Sequence, residues 1–185
     1  MPHLIGENII LREYRQEDLS CMREWCNNSA ITYYLSDAFL YPHMRNGTEA
    51  YLNALLDGSS EQKGFVIADR LTEQYIGQID LFELDWKNRS AEFGMVIGNA
   101  LLHGRGIGTE AVRLLQQFVF MELNLNRLQL EVYEYNKKAI RCYTKCGFRE
   151  EGRLRERHFS QGRYCDVVIM AILREAYVER QLTHK

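Results

Sequence analysis

Residues 98–110 read GNALLHGRGIGTE, a glycine-rich stretch at the start of a helical pattern. Three glycines at alternate positions, Gly104, Gly106 and Gly108, directly precede an apolar pattern with helical spacing. Glycine adopts positive φ without steric cost and lets a ligand approach the backbone closely. The N–H groups at the start of a helix attract anions. The loop therefore predicts a phosphate-binding turn, with a glycine-rich turn that serves packing alone as the alternative.

Two well-known phosphate loops do not fit these letters. A Walker loop requires Gly-Lys followed by Ser or Thr, whereas Gly108 is followed directly by Thr109. A dinucleotide fingerprint requires GxGxxG immediately after a strand, whereas the spacing here is GxGxG after an intervening loop. The sequence thus argues against both of these nucleotide-binding classes.

The patterns on either side of the loop predict one mixed α/β (α+β) domain over residues 1–185. Three β-like runs before the loop look like an antiparallel meander, and the Gln161-Gly162 turn separates the last two strands. The predicted strands are residues 8–14, 64–68, 75–82, 91–97, 127–133, 148–156 and 164–173. The predicted helices are residues 16–28, 48–56, 136–145 and a segment that starts at 106, with short helical pieces and loop over 31–46.

Composition argues against two classes of binding partner, nucleic acids and membranes. The 185 residues are 46% hydrophobic and 26% charged, which suits an ordinary globular protein. A formal net charge of -2 argues against a strongly basic nucleic-acid-binding module. No run approaches the roughly 20 apolar residues that cross a bilayer. We therefore expect neither a nucleic-acid partner nor a membrane partner.

The five cysteines predict a reducing compartment. Their number is odd, no CxxC pair occurs, and the N-terminal residues lack the pattern of a signal peptide. We therefore expect thiols in the cytoplasm. Cys142 and Cys146 lie one helical turn apart, but no histidine or second cysteine pair with zinc-site spacing accompanies them. We expect no metal site.

Candidate catalytic side chains lie on both sides of the loop. Strand alternation places Glu92 on the same face as Gly94, which predicts room beside the carboxylate for a docking group. A carboxylate there can take a proton from an amine, or it can be only a surface or ion-paired residue. Downstream, helical spacing aligns Asn136, Ala139 and Tyr143. The alternatives are a helix cap for Asn136 and a core aromatic for Tyr143.

Together these motifs resemble the GNAT superfamily of acetyl-CoA-dependent N-acetyltransferases. The family's phosphate loop, Gln/Arg-x-x-Gly-x-Gly/Ala, is similar to residues 103–108, where His103 departs from the usual first residue. The block from Asn136 through Tyr143 to Gly147-Phe148 also fits the family. Residues 151–152 and 162–164, with Asp166, resemble the RimJ/RimL-like branch, which also includes bacterial spermidine acetyltransferases.

The resemblance implies a central, mostly antiparallel sheet with splayed strands, flanked by helices. It implies acetyl-CoA as cosubstrate, with its pyrophosphate on the loop amides and its thioester carbonyl polarised near Val96 or Ile97. It also implies that Glu92 acts as the base and that Tyr143 hydrogen-bonds to the leaving thiolate. The implied cofactor-binding residues are Val96, Ile97, His103, Gly104, Arg105, Gly106, Ile107, Gly108, Thr109, Asn136 and Ala139.

The sequence does not identify which amine accepts the acetyl group. The resemblance implies direct attack by a primary amine, which can belong to a protein N-terminus, a polyamine or another small amine. Asp37, Glu83 and Asp85 are carboxylates available to a polyamine, and the aromatic segments 33–35 and 39–41 are available to a peptide. The alternative function is a non-catalytic acyl-CoA-binding sensor or interaction module. The branch further implies a cytoplasmic homo-oligomer, a dimer or larger.

Overall fold

The computed structural model describes residues 4–183 in eight β-strands and six α-helices. The strands are β1 (Leu4–Ile5), β2 (Ile9–Arg12), β3 (Lys63–Asp69), β4 (Tyr75–Asp85), β5 (Ser90–Ile97), β6 (Arg127–Tyr133), β7 (Arg149–Ser160) and β8 (Arg163–Leu173). The helices are α1 (Leu19–Cys26), α2 (Ser29–Thr32), α3 (Arg45–Leu56), α4 (Ile107–Gln117), α5 (Lys137–Lys145) and α6 (Arg174–Thr183). A π-helical turn, Phe118–Glu122, follows α4 directly.

The chain divides into two compact units, and each is described by itself. The first comprises residues 4–82 and 94–114, and the second comprises residues 83–93 and 115–183. Strand β5 supplies its last four residues to the first unit and its first four to the second. The expectation of a single domain over residues 1–185 stays a prediction.

In the first unit, β1, β2, β3 and β4 are neighbours in that order and pair antiparallel. Helices α1 and α3 contribute Met22 and Leu52 to a buried cluster with Ile10 of β2 and Val66 of β3. Met22 and Leu52 are 1% and 0% exposed. Burial of such side chains is worth roughly 1.5–3 kcal/mol each, which is what holds the helices on this part of the sheet.

The start of α1 depends on a buried ion pair. The Arg12 guanidinium donates to both carboxylate oxygens of Asp18, at 2.9 and 2.8 Å. The Arg15 N–H also donates to Asp18, at 2.8 Å, so this carboxylate closes the short 3₁₀ turn that precedes α1. Removing either partner would strand a buried charge, a change that costs roughly 3–5 kcal/mol.

A second buried polar group lies between β4 and the helices of the first unit. Tyr14 Oη donates to Asp80 Oδ1 at 2.5 Å, and Gln78 Nε2 donates to Asp80 Oδ2 at 3.0 Å. Asp80 is 4% exposed, and burial raises its pKa to about 6 despite these two donors. Gly64 has no side chain because Asp80 Oδ1 lies 1.9 Å from the point where a Cβ would be.

In the second unit, β6 pairs antiparallel with β8, and β8 pairs antiparallel with β7. The turn between β7 and β8 has positive φ at both central residues, Gln161 (+49°) and Gly162 (+80°). Two positive φ values define the type I′ turn that suits a two-residue hairpin. Strand β5 joins β6 in parallel at three residue pairs, and this pairing ends at Glu92 and Gln129 although both strands continue.

These elements confirm the mixed α/β, mostly antiparallel fold that the sequence predicts. Strand β6 has the predicted bounds, and the Gln161-Gly162 turn lies where it is predicted. Helix α3 begins at Arg45, three residues before the predicted start, and β7 runs to Ser160 rather than ending at residue 156. Helix α5 ends before Gly147, whose φ of +92° closes it as predicted.

The buried Asp80 carboxyl predicts a pH-dependent stability. Its folded-state pKa of about 6 lies above the ordinary value of 3.8, so the folded chain binds more protons than the unfolded chain between these limits. The free energy of unfolding should therefore fall by roughly 2–3 kcal/mol as the pH rises from about 4 to about 7. Asp80→Asn should remove this fall, and urea denaturation at a series of pH values measures it.

Asp57→Asn is the matched control, because Asp57 lies exposed after α3 and accepts the Ser59 N–H. That variant should keep the wild-type fall in stability. A fall of the same size in Asp80→Asn would show that another group binds the proton.

Candidate active site

The glycine loop of the first unit has the backbone shape that binds an anion. Gly104 and Gly106 have φ values of +80° and +86°, and no atom lies within 4 Å of where either Cβ would be. Helix α4 begins at Ile107, and the Glu110 N–H donates to the Gly106 carbonyl at 3.0 Å. The glycine turn thus lies at the positive end of the helix dipole.

His103 is the residue of the loop that departs from the family pattern. Its Nε2 lies 3.0 Å from the Ile97 carbonyl oxygen, so the imidazole ties the loop to the end of β5. Contact between a phosphate and the backbone at His103, Gly104, Arg105, Gly106, Ile107, Gly108 and Thr109 stays a prediction.

A carboxylate holds the start of α4 in place. Glu110 accepts hydrogen bonds from the Asn8 N–H at 2.9 Å, from the Asn8 side chain at 3.1 Å and from the Ile9 N–H at 3.4 Å. Partial burial opposes ionisation, but these donors hold the pKa of Glu110 below its usual range. An ionised Glu in the first turn also complements the helix dipole.

The C-terminal end of β5 approaches its neighbour β4 closely. A Cβ on Gly77 would lie 2.1 Å from the Val96 carbonyl oxygen, and the Gly98 N–H donates to the Ile76 carbonyl at 2.8 Å. Val96 is buried and Ile97 is half-buried. The predicted polarisation of a thioester by the N–H groups of Val96 or Ile97 stays a prediction.

The structure corrects one expectation for this strand. The alternation pattern predicts free space beside Glu92 because Gly94 has no side chain. The ring of Phe82 fills that space, with its Cζ 2.7 Å from the position of a Cβ on Gly94. Gly94 is therefore explained by packing against an aromatic ring, which sequence periodicity cannot detect.

In the second unit, Glu92 belongs to a chain of hydrogen bonds. Gln129 Nε2 donates to Glu92 Oε2 at 3.2 Å, and Gln129 Oε1 accepts from Arg127 Nε at 3.0 Å. Arg127 in turn pairs with Glu151 at 2.6 Å. No local sequence pattern singles out Gln129, because only the parallel register of β5 and β6 places it opposite Glu92.

The electrostatic environment makes Glu92 a stronger base than an ordinary glutamate. Its pKa is raised, chiefly by partial burial and further by the negative charges of Glu131 and Glu83, while the Gln129 hydrogen bond opposes the rise. A carboxylate with a raised pKa accepts a proton more readily. The same negative charges attract a cation to this part of the second unit.

Tyr143 of α5 is a buried aromatic with the properties of a hydrogen-bond donor. It is 7% exposed and packs edge-on against Phe93 and Phe148, with ring centroids 5.8 and 6.0 Å apart. Burial raises its pKa well above that of an ordinary tyrosine, so the hydroxyl keeps its proton at neutral pH. Phe93 follows Glu92 in β5, so this packing places Tyr143 against the strand that carries Glu92.

Asn136 caps α5. Its Oδ1 accepts the Ala139 N–H at 3.2 Å, which is the helix-cap alternative left open by the sequence. Contact of Asn136 and Ala139 with a cofactor stays a prediction.

Within residues 4–183, no three His, Cys, Asp or Glu side chains are grouped as metal ligands. In the same part of the chain, every helix is too short or too polar to cross a membrane.

Comparison with known proteins identifies the family. Residues 8–149 match the family described as Acetyltransferase (GNAT) domain, well over half of the chain. The spermidine N(1)-acetyltransferase of Vibrio cholerae is 32% identical over 177 residues, which cover 95% of this chain and 99% of that protein. The spermidine N(1)-acetyltransferase of Escherichia coli K12 is 30% identical over 178 residues, covering 96% and 92%.

A solved structure agrees with these matches. The crystal structure of spermidine N-acetyltransferase from Vibrio cholerae in complex with CoA and spermine has a TM-score of 0.82 and 32% identity. The match covers 94% of this chain and 99% of that one. The protein is an enzyme that uses acetyl-CoA as cosubstrate and transfers the acetyl group to an amine. With its loop, its strand order and these relatives in agreement, the chain belongs to the GNAT family of N-acetyltransferases.

Proposed function

We propose that the acceptor is a polyamine of the spermidine class, and that Glu92 takes the proton from its attacking nitrogen. The observation that carries the proposal is the half-buried Glu92 carboxylate, held by Gln129 and influenced by the charges of Glu131 and Glu83. The two relatives described above carry the name spermidine N(1)-acetyltransferase, which supports the same substrate class.

A cluster of negative charge suits an acceptor with several ammonium groups. An aliphatic ammonium has a pKa near about 10, so a polyamine is multiply charged at neutral pH. One ammonium must lose its proton before attack, and the remaining ones keep their charge. Glu131 and Glu83 attract the remaining charges, while the raised pKa of Glu92 lets it accept the proton.

The proposed reaction is direct transfer in a ternary complex. The loop amides from His103 to Thr109 hold the pyrophosphate, and the N–H groups near Val96 or Ile97 polarise the thioester carbonyl. Glu92 takes one proton from the ammonium, and the free amine then attacks the thioester carbon. The nitrogen–carbon bond forms and the carbon–sulfur bond breaks, and the second proton lost from the nitrogen passes to the thiolate, which leaves as the CoA thiol. Tyr143 donates a hydrogen bond to the departing thiolate. Its raised pKa makes full proton transfer uphill, since a thiol is the stronger acid.

The non-catalytic alternative is not favoured by any of these observations. A sensor needs the phosphate loop but has no use for a half-buried carboxylate with a raised pKa. A cytoplasmic location and assembly into a homo-oligomer, a dimer or larger, stay predictions from the family resemblance.

An acceptor screen tests the proposal directly. Thiol release from acetyl-CoA should be fastest with spermidine or spermine, and slower with an aminoglycoside or a short peptide. Glu131→Gln should raise the KM for spermidine by about two- to fivefold, the range expected for losing one exposed charge contact. Glu122→Gln, an exposed change in the π-helical turn of the same unit, is the control and should leave KM unchanged. Peptides turning over faster than polyamines would reject the polyamine assignment.

The loop is tested with a glycine pair. Gly106→Ala forces a Cβ onto a backbone with φ of +86°, which costs roughly 1–2 kcal/mol and distorts the cradle. The KM for acetyl-CoA should rise about tenfold with a smaller change in kcat. Gly152→Ala is the control, because Gly152 has open space around it and no positive φ. Equal KM values in the two variants would mean that the pyrophosphate binds elsewhere.

The role of Glu92 is tested through Gln129. Gln129→Met removes the hydrogen bond that lowers the pKa of Glu92, so that pKa should rise further. Protonated Glu92 cannot accept a proton, so the acidic limb of kcat/KM should move to higher pH and activity should fall most below neutral pH. Glu92→Gln should abolish this limb. A limb that stays in place in both variants would assign proton removal to another group or to water.

A further inference from the structure

The indole of Trp25 lies directly against the end of β5. Trp25 belongs to α1, is 4% exposed and shares a buried cluster with Val96. Its Cδ1 lies 2.7 Å from the position that a Cβ would take on Gly98. Gly98 therefore has no side chain because the indole occupies that space.

The backbone of residues 96–98 is confined by β4 as well. The Val96 carbonyl lies where Gly77 would carry a Cβ, and the Gly98 N–H is bonded to the Ile76 carbonyl at 2.8 Å. Contacts with β4 and with the indole together restrict rotation of these peptide groups. Interiors packed at this density deform only with difficulty.

The orientation of the indole is itself fixed by hydrogen bonds. Trp25 Nε1 donates to Tyr75 Oη at 2.8 Å, and Tyr75 Oη donates to Gln78 Oε1 at 3.0 Å. Gln78 Nε2 donates onward to Asp80 and, at 3.2 Å, to Tyr51 Oη. On another side, the ring of Phe39 packs against the indole with centroids 5.3 Å apart. The indole N–H is thus bonded into a hydrogen-bond network that runs through Tyr75 and Gln78 to Asp80.

We propose that Trp25 is a positioning residue for acetyl transfer. It holds the peptide groups of Val96 and Ile97 in the orientation that receives the developing negative charge of the thioester oxygen, and Tyr75 fixes the indole in that position. The inference rests on the proposed function, because it assigns Trp25 a part in that reaction. Stabilisation of an oxyanion depends on donors that are oriented before the reaction begins, and misplacement by about 1 Å is costly.

The experiment compares two tyrosines of the same network. Tyr75→Phe removes the acceptor of the indole N–H, whereas Tyr51→Phe removes a hydroxyl that reaches Gln78 but is not bonded to Trp25. We expect Tyr75→Phe and Trp25→Phe each to lower kcat about tenfold, the scale of a small displacement of a catalytic donor. The dissociation constant for CoA, measured by calorimetry, should change less than about twofold because the phosphate loop is intact.

Tyr51→Phe is the control for general destabilisation. It should keep kcat within about twofold of the wild type even where its thermal midpoint falls as far as that of Tyr75→Phe. The double variant Trp25→Phe/Tyr75→Phe should be no slower than the slower single variant, because both changes act through one contact.

Two results would overturn the inference. One is an equal loss of kcat in Tyr75→Phe and Tyr51→Phe, and the other is additive losses in the double variant. If either result is found while the wild-type enzyme acetylates amines, Trp25 has no positioning role and the proposed function still holds. A wild-type enzyme that acetylates no amine overturns both.

Discussion

The backbone turn at Gly104 and Gly106 is the constraint on which the rest of the structure depends. Both residues have the left-handed conformation that side chains disfavour, and both face open space. This turn brings the chain from the end of β5 to the start of α4. Glu110 fixes the helix start through Asn8, and His103 fixes the loop through the Ile97 carbonyl. The shape of the turn is thus a property of the backbone, held by the side chains of Glu110 and His103.

The chemistry of the second unit depends on a balance of burial and charge. Glu92 is buried enough to raise its pKa, yet it keeps one hydrogen bond, from Gln129, that moderates the rise. Tyr143 is buried more completely among aromatic rings, and its pKa moves further from neutrality. One group is therefore suited to accept a proton and the other to keep one. Residue type already separates the two groups, and burial raises the pKa of both.

Much of the fold follows from local patterns, and the exceptions share a physical reason. Three features were predictable because each requires positive φ at specific residues: the glycine loop, the Gln161-Gly162 turn and the end of α5 at Gly147. The prediction of free space beside Glu92 was wrong, because Phe82, twelve residues before Gly94, fills the space next to Gly94. Gln129 went unnoticed because its importance arises from the register of two strands. The sequence gives no sign that Asp80 differs from an ordinary carboxylate, because its burial against Tyr14 arises only in the folded chain.

The sequence by itself determined the family, the reaction class and the turn of the glycine loop. These depend on short-range backbone geometry and on side chains of specific chemistry. Only the tertiary structure decided that the Trp25 indole lies against Gly98, that Glu92 is bonded to Gln129, and that His103 bonds to a carbonyl. These contacts join segments distant in the chain. Their energies depend on distance and burial, and neither quantity is encoded in any local run of residues.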